Sequence, residues 1–170
     1  MAKRIYLITL IAIFLISCRG GKTPTNQIVA TNAWTAAYAI AAGAKAEDVS
    51  ILTPFEMLHP SEHELRPGDI ALLAGAQMVI YAGYETMMDQ IKTGLNIPAE
   101  KLVHITTSYN FEEIESSVMT IAKRLQTEEI ARQNLDELRV AFESLRQVAQ
   151  EHGLHHETAE IGRASCRERV

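Results

Sequence analysis

Short aliphatic runs alternate with amphipathic segments over the first two thirds of the chain. Four runs are mostly aliphatic and have polar or turn-forming flanks, which predicts buried strands. These runs lie at 28–31, 49–52, 78–81 and 102–105. The segments between them predict helices at 34–42, 69–76 and 85–92. Strand–helix–strand units this short are typical of a parallel sheet, and strands that are apolar on both faces are covered on both sides. The pattern therefore predicts an α/β fold, a parallel sheet with flanking helices.

Two longer helices are predicted after the fourth strand. Asn110 with a glutamate three residues later is a capping-box-like start, and an apolar stripe follows it. Thr127 begins the next helix, whose apolar seam recurs at steps of three and four residues until Gly153. This helix has about 25 residues, which at ~1.5 Å each give a length of roughly 37 Å. We therefore divide this part of the chain into an α/β lobe at 28–126 and a long connecting helix at 127–153.

The N-terminus has the order of a secretory signal peptide. Basic residues precede an apolar run from Ile5 to Ile16 that is too short to span a bilayer comfortably, and Cys18 follows a small residue. This arrangement looks like a lipobox, in which Cys18 becomes the diacylated first residue of the mature protein. We expect a signal peptide at 1–17, a lipid-anchored tether at 18–27, and an extracytoplasmic protein held on the cell membrane, periplasmic or at the outer surface. The alternative is an uncleaved N-terminal anchor.

The other end of the chain has a different character. Residues 160–170 have no periodicity and no cap signals, and they look like a translated sequencing adapter. We interpret this segment as an artefact and expect the natural chain to continue past Ala159. Residues 154–159 would then begin a second lobe that is missing here.

Charge and cysteine content narrow the possible partners. The formal net charge of the whole chain is −5, and residues 18–159 hold 11 of the 16 basic and 19 of the 21 acidic residues, a balance of −8. Nucleic acid is not an expected partner, because phosphate binding needs a basic surface. With Cys18 lipidated and Cys166 in the artefact, no cysteine is left for a disulfide or a thiolate metal site.

Candidate ligands lie in the loop 54–67, which leaves the carboxyl end of the second predicted strand. His59 and His63 stand four residues apart in this loop among carboxylates, and His104 lies on the fourth predicted strand. Imidazole and carboxylate together suit zinc and manganese, and ligands of parallel sheets bind at the carboxyl ends of the strands. We therefore predict His59 and His63 as candidate metal ligands. The alternative is that each is an ordinary surface histidine or is satisfied by a backbone carbonyl.

Two stretches, Leu65 to Leu73 and Ala76 to Glu85, resemble the metal-binding lipoproteins that serve ABC importers of zinc and manganese. The likeness covers a helix start with proline, an apolar helix turn, an aliphatic strand that ends in tyrosine, and the glycine that follows. It implies one lobe of a two-lobed solute-binding protein, with the long helix as the stiff backbone between the lobes. It also implies zinc or manganese as a transported ligand with no catalytic role, and an ABC permease and ATPase complex as partner.

The same resemblance has consequences for the candidate histidines. Aligned without gaps on the first stretch, the family's ligand histidine falls on Ser61, two residues from His59 and two from His63. A second ligand position falls near Thr106, two residues beyond His104, and an offset of two keeps the same face of a strand. The resemblance thus implies that His104 is also a metal ligand. His59 or His63 would bind the ion together with His104, while a second lobe supplies carboxylate ligands.

Other functions are compatible with the same residues. The offset histidines also allow a binding protein for a metal chelate such as haem, a corrinoid or a siderophore, and the scaffold could serve an adhesin-like lipoprotein without transport. The sequence has no nucleophile–base motif and no phosphate-binding glycine loop, so we expect a binding protein and not an enzyme. Its aromatic residues are scattered over separate elements, which predicts ordinary packing and no aromatic ligand site. They include Trp34, Tyr38, Tyr81, Tyr84 and Tyr109.

Overall fold

The computed structural model describes residues 27–57, 59 and 62–153. The predicted signal peptide, the lipidation of Cys18 and the tether up to residue 26 lie outside the described residues, and so do the segments 154–159 and 160–170. These assignments stay predictions.

Within the described residues, four strands form one sheet in which every pairing is parallel. The strands are β1 (Ile28–Ala30), β2 (Val49–Ile51), β3 (Met78–Tyr81) and β4 (Leu102–His104), and their order in the sheet is β2-β1-β3-β4. Ile28 is in register with Val49 on one side and with Met78 on the other, and Tyr81 is in register with His104. The predicted α/β fold with a parallel sheet is confirmed.

Helices connect and follow the strands as the sequence pattern predicts. Their bounds are α1 (Ala33–Ala41), α2 (Pro67–Gly75), α3 (Met87–Gly94), α4 (Phe111–Leu125) and α5 (Glu128–Glu151). Short 3₁₀ turns at Ala46–Asp48 and Ala99–Lys101 lead into β2 and β4. Each predicted helix is present, with its ends shifted by at most a few residues.

Two of these shifts have a physical cause. Helix α2 begins two residues before the predicted start, because Pro67 suits the first turn, where its missing N–H needs no partner. Asp69 then closes the turn, its Oδ2 accepting a hydrogen bond from Arg66 N at 2.9 Å. Helix α3 begins two residues late, at Met87, because the side chain of Glu85 is engaged by the loop before it.

Asparagine side chains fix the starts of two further helices. Asn32 caps α1 through a capping box, in which its Oδ1 accepts from Thr35 N at 3.0 Å and its own N–H donates to Thr35 Oγ1 at 3.1 Å. Asn110 caps α4, accepting from Glu112 N at 2.8 Å. The predicted start of this helix at Asn110 is confirmed. Substituting such a cap by alanine typically costs about 1 kcal/mol.

The sheet separates two apolar cores because neighbouring strand residues point to opposite faces. Ile28, Ile80 and Val103 contribute to the larger core, which α1, α4 and α5 cover. Val29 and Val79 contribute to the smaller core, which α2 and α3 cover. All five side chains are buried, so the strands are covered on both faces, as their composition predicts.

Helix α5 is the long helix predicted from the apolar seam, and its buried residues all lie in its first half. Ala131 and Leu135 are buried in the larger core. Asn134 Nδ2 donates to Ala41 O at 3.0 Å, which ties this half to the C-terminal end of α1. Farther along, Phe142 packs edge-on against Phe111 in the first turn of α4, with ring centroids 5.7 Å apart.

Beyond this contact α5 has few neighbours. Leu145 is 67% exposed and Val148 is 49% exposed, although both belong to its apolar side. Because α5 starts beside the end of α1 and reaches the start of α4, it runs from the amino ends of the strands toward their carboxyl ends. None of the helices in the described residues combines the length and the apolar composition that crossing a membrane requires.

Candidate functional site

The carboxyl ends of the four strands lie at one edge of the sheet, which we call the carboxyl edge. It comprises the described residues of the segments 31–34, 52–66, 82–86 and 105–110, each of which follows one strand. The order β2-β1-β3-β4 places β1 beside β3, and their following helices pack on opposite faces of the sheet. A parallel sheet has its ligand crevice at such a point, where the connections diverge. A ligand site is therefore expected at the carboxyl edge between β1 and β3.

A buried carboxylate holds this point together. Glu85 is 4% exposed, and its Oε1 accepts hydrogen bonds from Thr31 Oγ1 at 2.5 Å, from Asn32 Nδ2 at 3.2 Å and from Ala82 N at 3.0 Å. Its Oε2 accepts from Gly83 N at 2.7 Å. The segments after β1 and β3 are thus joined through one side chain.

The environment of Glu85 is unusual because a buried charge is normally paired or bound to a metal. Among the described residues no lysine, arginine or histidine forms an ion pair with it. Four hydrogen-bond donors stabilise the carboxylate instead, two of them backbone N–H groups. Tyr84 lies beside this group, with its hydroxyl 3.3 Å from Asn32 Nδ2. The cluster holds the segments after β1 and β3 together.

Of the three predicted ligands, His63 is buried and 2% exposed. Its Nε2 lies 2.9 Å from Oδ2 of Asp69, in the first turn of α2. A crossover helix of a parallel sheet runs antiparallel to the strands, so this turn lies at the carboxyl edge. Asp69 therefore both closes the start of α2 and orients the imidazole.

His104 is the last residue of β4 and is exposed. Its ring lies against the ring of Tyr81 on β3, with centroids 5.1 Å apart, and its Nε2 is 3.2 Å from the carbonyl oxygen of Ala82. A carbonyl only accepts, so Nε2 carries the proton in this contact. The predicted strand position of His104 is confirmed, and its hydrogen bond is the one that a histidine satisfied by a backbone carbonyl would make.

The third histidine, His59, is exposed within the loop after β2. His63 and His104 both lie on the side of the sheet that α2 and α3 cover, at the carboxyl edge. Over residues 27–57, 59 and 62–153, no group of three His, Cys, Asp or Glu side chains is placed so that it could hold a metal ion. Metal ligation by His59, His63 and His104 therefore stays a prediction, and a complete cation site needs ligands beyond this set.

The aromatic residues lie differently from what their scatter in the sequence suggests. The segment after each strand carries one exposed aromatic side chain. These are Trp34, Phe55, Tyr84 and Tyr109, which are 54%, 78%, 47% and 83% exposed. Ordinary packing is confirmed for Tyr38 and Tyr81, which are half-buried. It is wrong for Trp34, Tyr84 and Tyr109, which are exposed. The parallel strands bring these residues, which are distant in sequence, to the same edge of the sheet.

Sequence reasoning missed the central residues of this edge. Thr31 and Asn32 directly follow β1, and Tyr84 and Glu85 follow β3 after a glycine. Polar residues at two neighbouring strand ends are the signal in the sequence that indicates them. Comparison with known protein families finds no matching family model, and comparison with curated proteins finds no significant relative.

We expect Gly83→Ala to destabilise the protein by about 2 kcal/mol, since a non-glycine residue at positive φ typically costs about 1–3 kcal/mol. Gly83 has φ +94°, and an added Cβ would lie 2.8 Å from Nε2 of His104. Gly68→Ala is the matched control, because Gly68 lies in the first turn of α2 with open space around it. It should leave stability unchanged or raise it by up to about 1 kcal/mol. Urea denaturation of both variants measures the difference, and equal effects would contradict this account.

A second prediction concerns the buried carboxylate. Glu85→Gln keeps the shape of the side chain but turns an amide N–H₂ toward donors, so at least one hydrogen bond is lost. We expect a loss of about 1–3 kcal/mol in the free energy of unfolding. Glu137→Gln on the exposed face of α5 should change it by less than about 0.5 kcal/mol. If the two variants unfolded at the same denaturant concentration, the role assigned to Glu85 would be wrong.

Proposed function

We propose that this chain is a lobe of an extracytoplasmic solute-binding protein that captures a divalent metal ion, zinc or manganese. The ion would be delivered to an ABC permease and ATPase complex at a membrane to which lipidated Cys18 tethers the protein. The resemblance of 65–73 and 76–85 to metal-importer lipoproteins motivates the proposal. The parallel sheet, the histidines at its carboxyl edge and the long helix α5 are compatible with it.

One observation supports metal capture most directly. Both His63 and His104 have Nε2 next to an oxygen that can accept a hydrogen bond from it, Asp69 Oδ2 at 2.9 Å and Ala82 O at 3.2 Å. In a neutral imidazole with the proton on Nε2, the lone pair is on Nδ1, the nitrogen that would bind a metal ion. Metal-binding histidines typically donate their other N–H to a carboxylate or a carbonyl, which fixes the tautomer and the ring orientation. Asp69 and Ala82 would have this orienting role.

The described residues supply too few ligands for tight binding. Zinc commonly takes four ligands, of which His63 and His104 would give two and His59 a candidate third. We propose that carboxylates of a second lobe complete the site, as the family resemblance implies. The ion would thus be enclosed between lobes, and this lobe alone would bind it weakly.

We expect zinc to bind the chain weakly and saturably, and to lose at least tenfold in affinity in His104→Ala and in His63→Ala. His152→Ala is the matched control, since His152 is exposed at the C-terminal end of α5 and should not matter. Isothermal titration calorimetry measures the affinities, with circular dichroism to verify that the His63 variant is folded. Tight zinc binding that persists when His59, His63 and His104 are all alanine would remove these residues from the site.

A second candidate function is favoured by the aromatic residues. Four exposed aromatic side chains at the carboxyl edge suit a planar metal chelate such as haem or a corrinoid, because stacking on aromatic rings stabilises flat ligands. The histidines at the same edge could then ligate the chelated metal. This candidate needs fewer protein ligands than a bare ion does, which agrees with the absence of a three-residue metal group in the described residues.

The two candidates differ in what the protein carries and in how Trp34 responds. For a chelate, added haem should give a saturable visible absorbance and quench the emission of Trp34, the one tryptophan of the chain. Phe55→Ala and Tyr84→Ala should each weaken this binding several-fold, while Val140→Ala, at a 65% exposed position on α5, should not. A colourless protein that purifies with stoichiometric zinc and ignores haem would favour the bare ion.

A further inference from the structure

A mostly apolar cavity of about 330 Å³ lies on the opposite side of the sheet from His63 and His104. It is bordered by α1, by the segment between β4 and α4, and by α4 and α5. The lining residues are Trp34, Ala37, Tyr38, Ala41, Thr107, Ser108, Tyr109, Ile114, Val118, Leu138 and Phe142. None of them is charged. Its volume is at the lower end of the range of small-molecule pockets, about 300–1,000 Å³.

Two aromatic side chains form the mouth of this cavity. Trp34 and Tyr109 are 54% and 83% exposed, their ring centroids are 6.1 Å apart and their planes are nearly perpendicular at 89°. Aromatic pairs favour such edge-to-face geometry, and a third ring placed between or beside them would gain the same kind of contact. The exposed ring faces at the mouth therefore point to a ligand that contains a ring.

The walls of the cavity are held in place by hydrogen bonds between elements. The hydroxyl of Tyr38 on α1 accepts from Ser108 N at 3.1 Å, which fixes the segment before α4 against α1. Thr127 Oγ1 donates to Ala42 O at 2.5 Å, which fixes the start of α5 against the end of α1. Val118 at the base is fully buried. A preformed cavity costs little ordering on binding, which favours affinity for a small ligand.

The lining also selects the charge of the ligand. A charged ligand would lose its hydration against mostly apolar walls without gaining an ionic partner, which is unfavourable. The polar groups of the lining are hydroxyls and backbone atoms, and the Tyr38 hydroxyl is already engaged. A sugar would leave many of its hydroxyls without partners here. A neutral, mostly apolar ring fits this set of contacts best.

We propose that this cavity is a binding site for a small neutral aromatic molecule, separate from the histidines of the proposed cation site. The inference does not depend on metal binding by His63 and His104, because the cavity lies on the other face of the sheet. Trp34 lies at the mouth and is the chain's one tryptophan, so its emission reports occupancy directly.

The test is a titration of the full chain with nitrobenzene, a neutral ring that quenches tryptophan emission. Acrylamide measures collisional quenching without a ring, and benzoate measures the effect of a charge on the ring. Ala37→Leu places an isobutyl group in the cavity at an exposed helical position, where folding should tolerate it. Ala71→Leu is the matched control, an exposed alanine on α2 across the sheet. Tyr109→Ser removes one side of the mouth without touching the core.

We expect saturable quenching by nitrobenzene, weakened at least tenfold in Ala37→Leu and in Tyr109→Ser and unchanged in Ala71→Leu. Acrylamide should quench linearly in all four proteins, and benzoate should not saturate. Quenching by nitrobenzene that stays linear, or that saturates equally in Ala37→Leu and Ala71→Leu, would overturn the proposal. Equal affinity for benzoate would overturn the neutral class of ligand. A Trp34 emission that changes with protein concentration alone would also overturn it, because the mouth would then bind a second copy.

Discussion

The carboxylate of Glu85 is the constraint on which the rest of the candidate site depends. It joins the segments after β1 and β3 by accepting hydrogen bonds from Thr31, Asn32, Ala82 and Gly83. Thr31, Asn32 and Glu85 itself are buried. A buried charge held by donors alone is costly unless every donor is in place, so the two segments have one favoured arrangement. Because Glu85 is held in this way, α3 begins only at Met87. The same hydrogen bonds fix the backbone from which the neighbouring side chains extend.

The same arrangement positions the groups that surround it. Gly83 lies in the turn after β3, so close to His104 that a larger residue would displace the imidazole. His104 in turn rests on Tyr81, and Tyr84 approaches the cap of α1 through Asn32. At the start of α2, Asp69 closes the first turn of the helix and fixes the imidazole of His63. The histidines are thus oriented by groups that also have structural roles.

The carboxyl edge therefore combines two kinds of chemistry. Oriented imidazoles suit a metal ion, whereas exposed aromatic rings suit a flat or ring-containing ligand. The histidines and the apolar cavity lie on opposite faces of the sheet. His63 and His104 lie toward α2 and α3, whereas the cavity lies between α1, α4 and α5. The long helix α5 extends past this edge with exposed leucine and valine side chains, so an additional packing partner there would bury apolar surface.

The sequence by itself determined the secondary structure and the fold class. Four aliphatic runs, glycine and proline boundaries and asparagine caps act locally, so the strands, the helices and the start of α4 at Asn110 could be predicted to within a few residues. Only the tertiary structure decided which side chains meet. The bonds of Glu85 to Thr31 and Asn32 and the exposed aromatic residues at one edge join positions more than 50 residues apart in some cases. Such contacts leave no local periodicity, because they arise when parallel strands bring their carboxyl ends together.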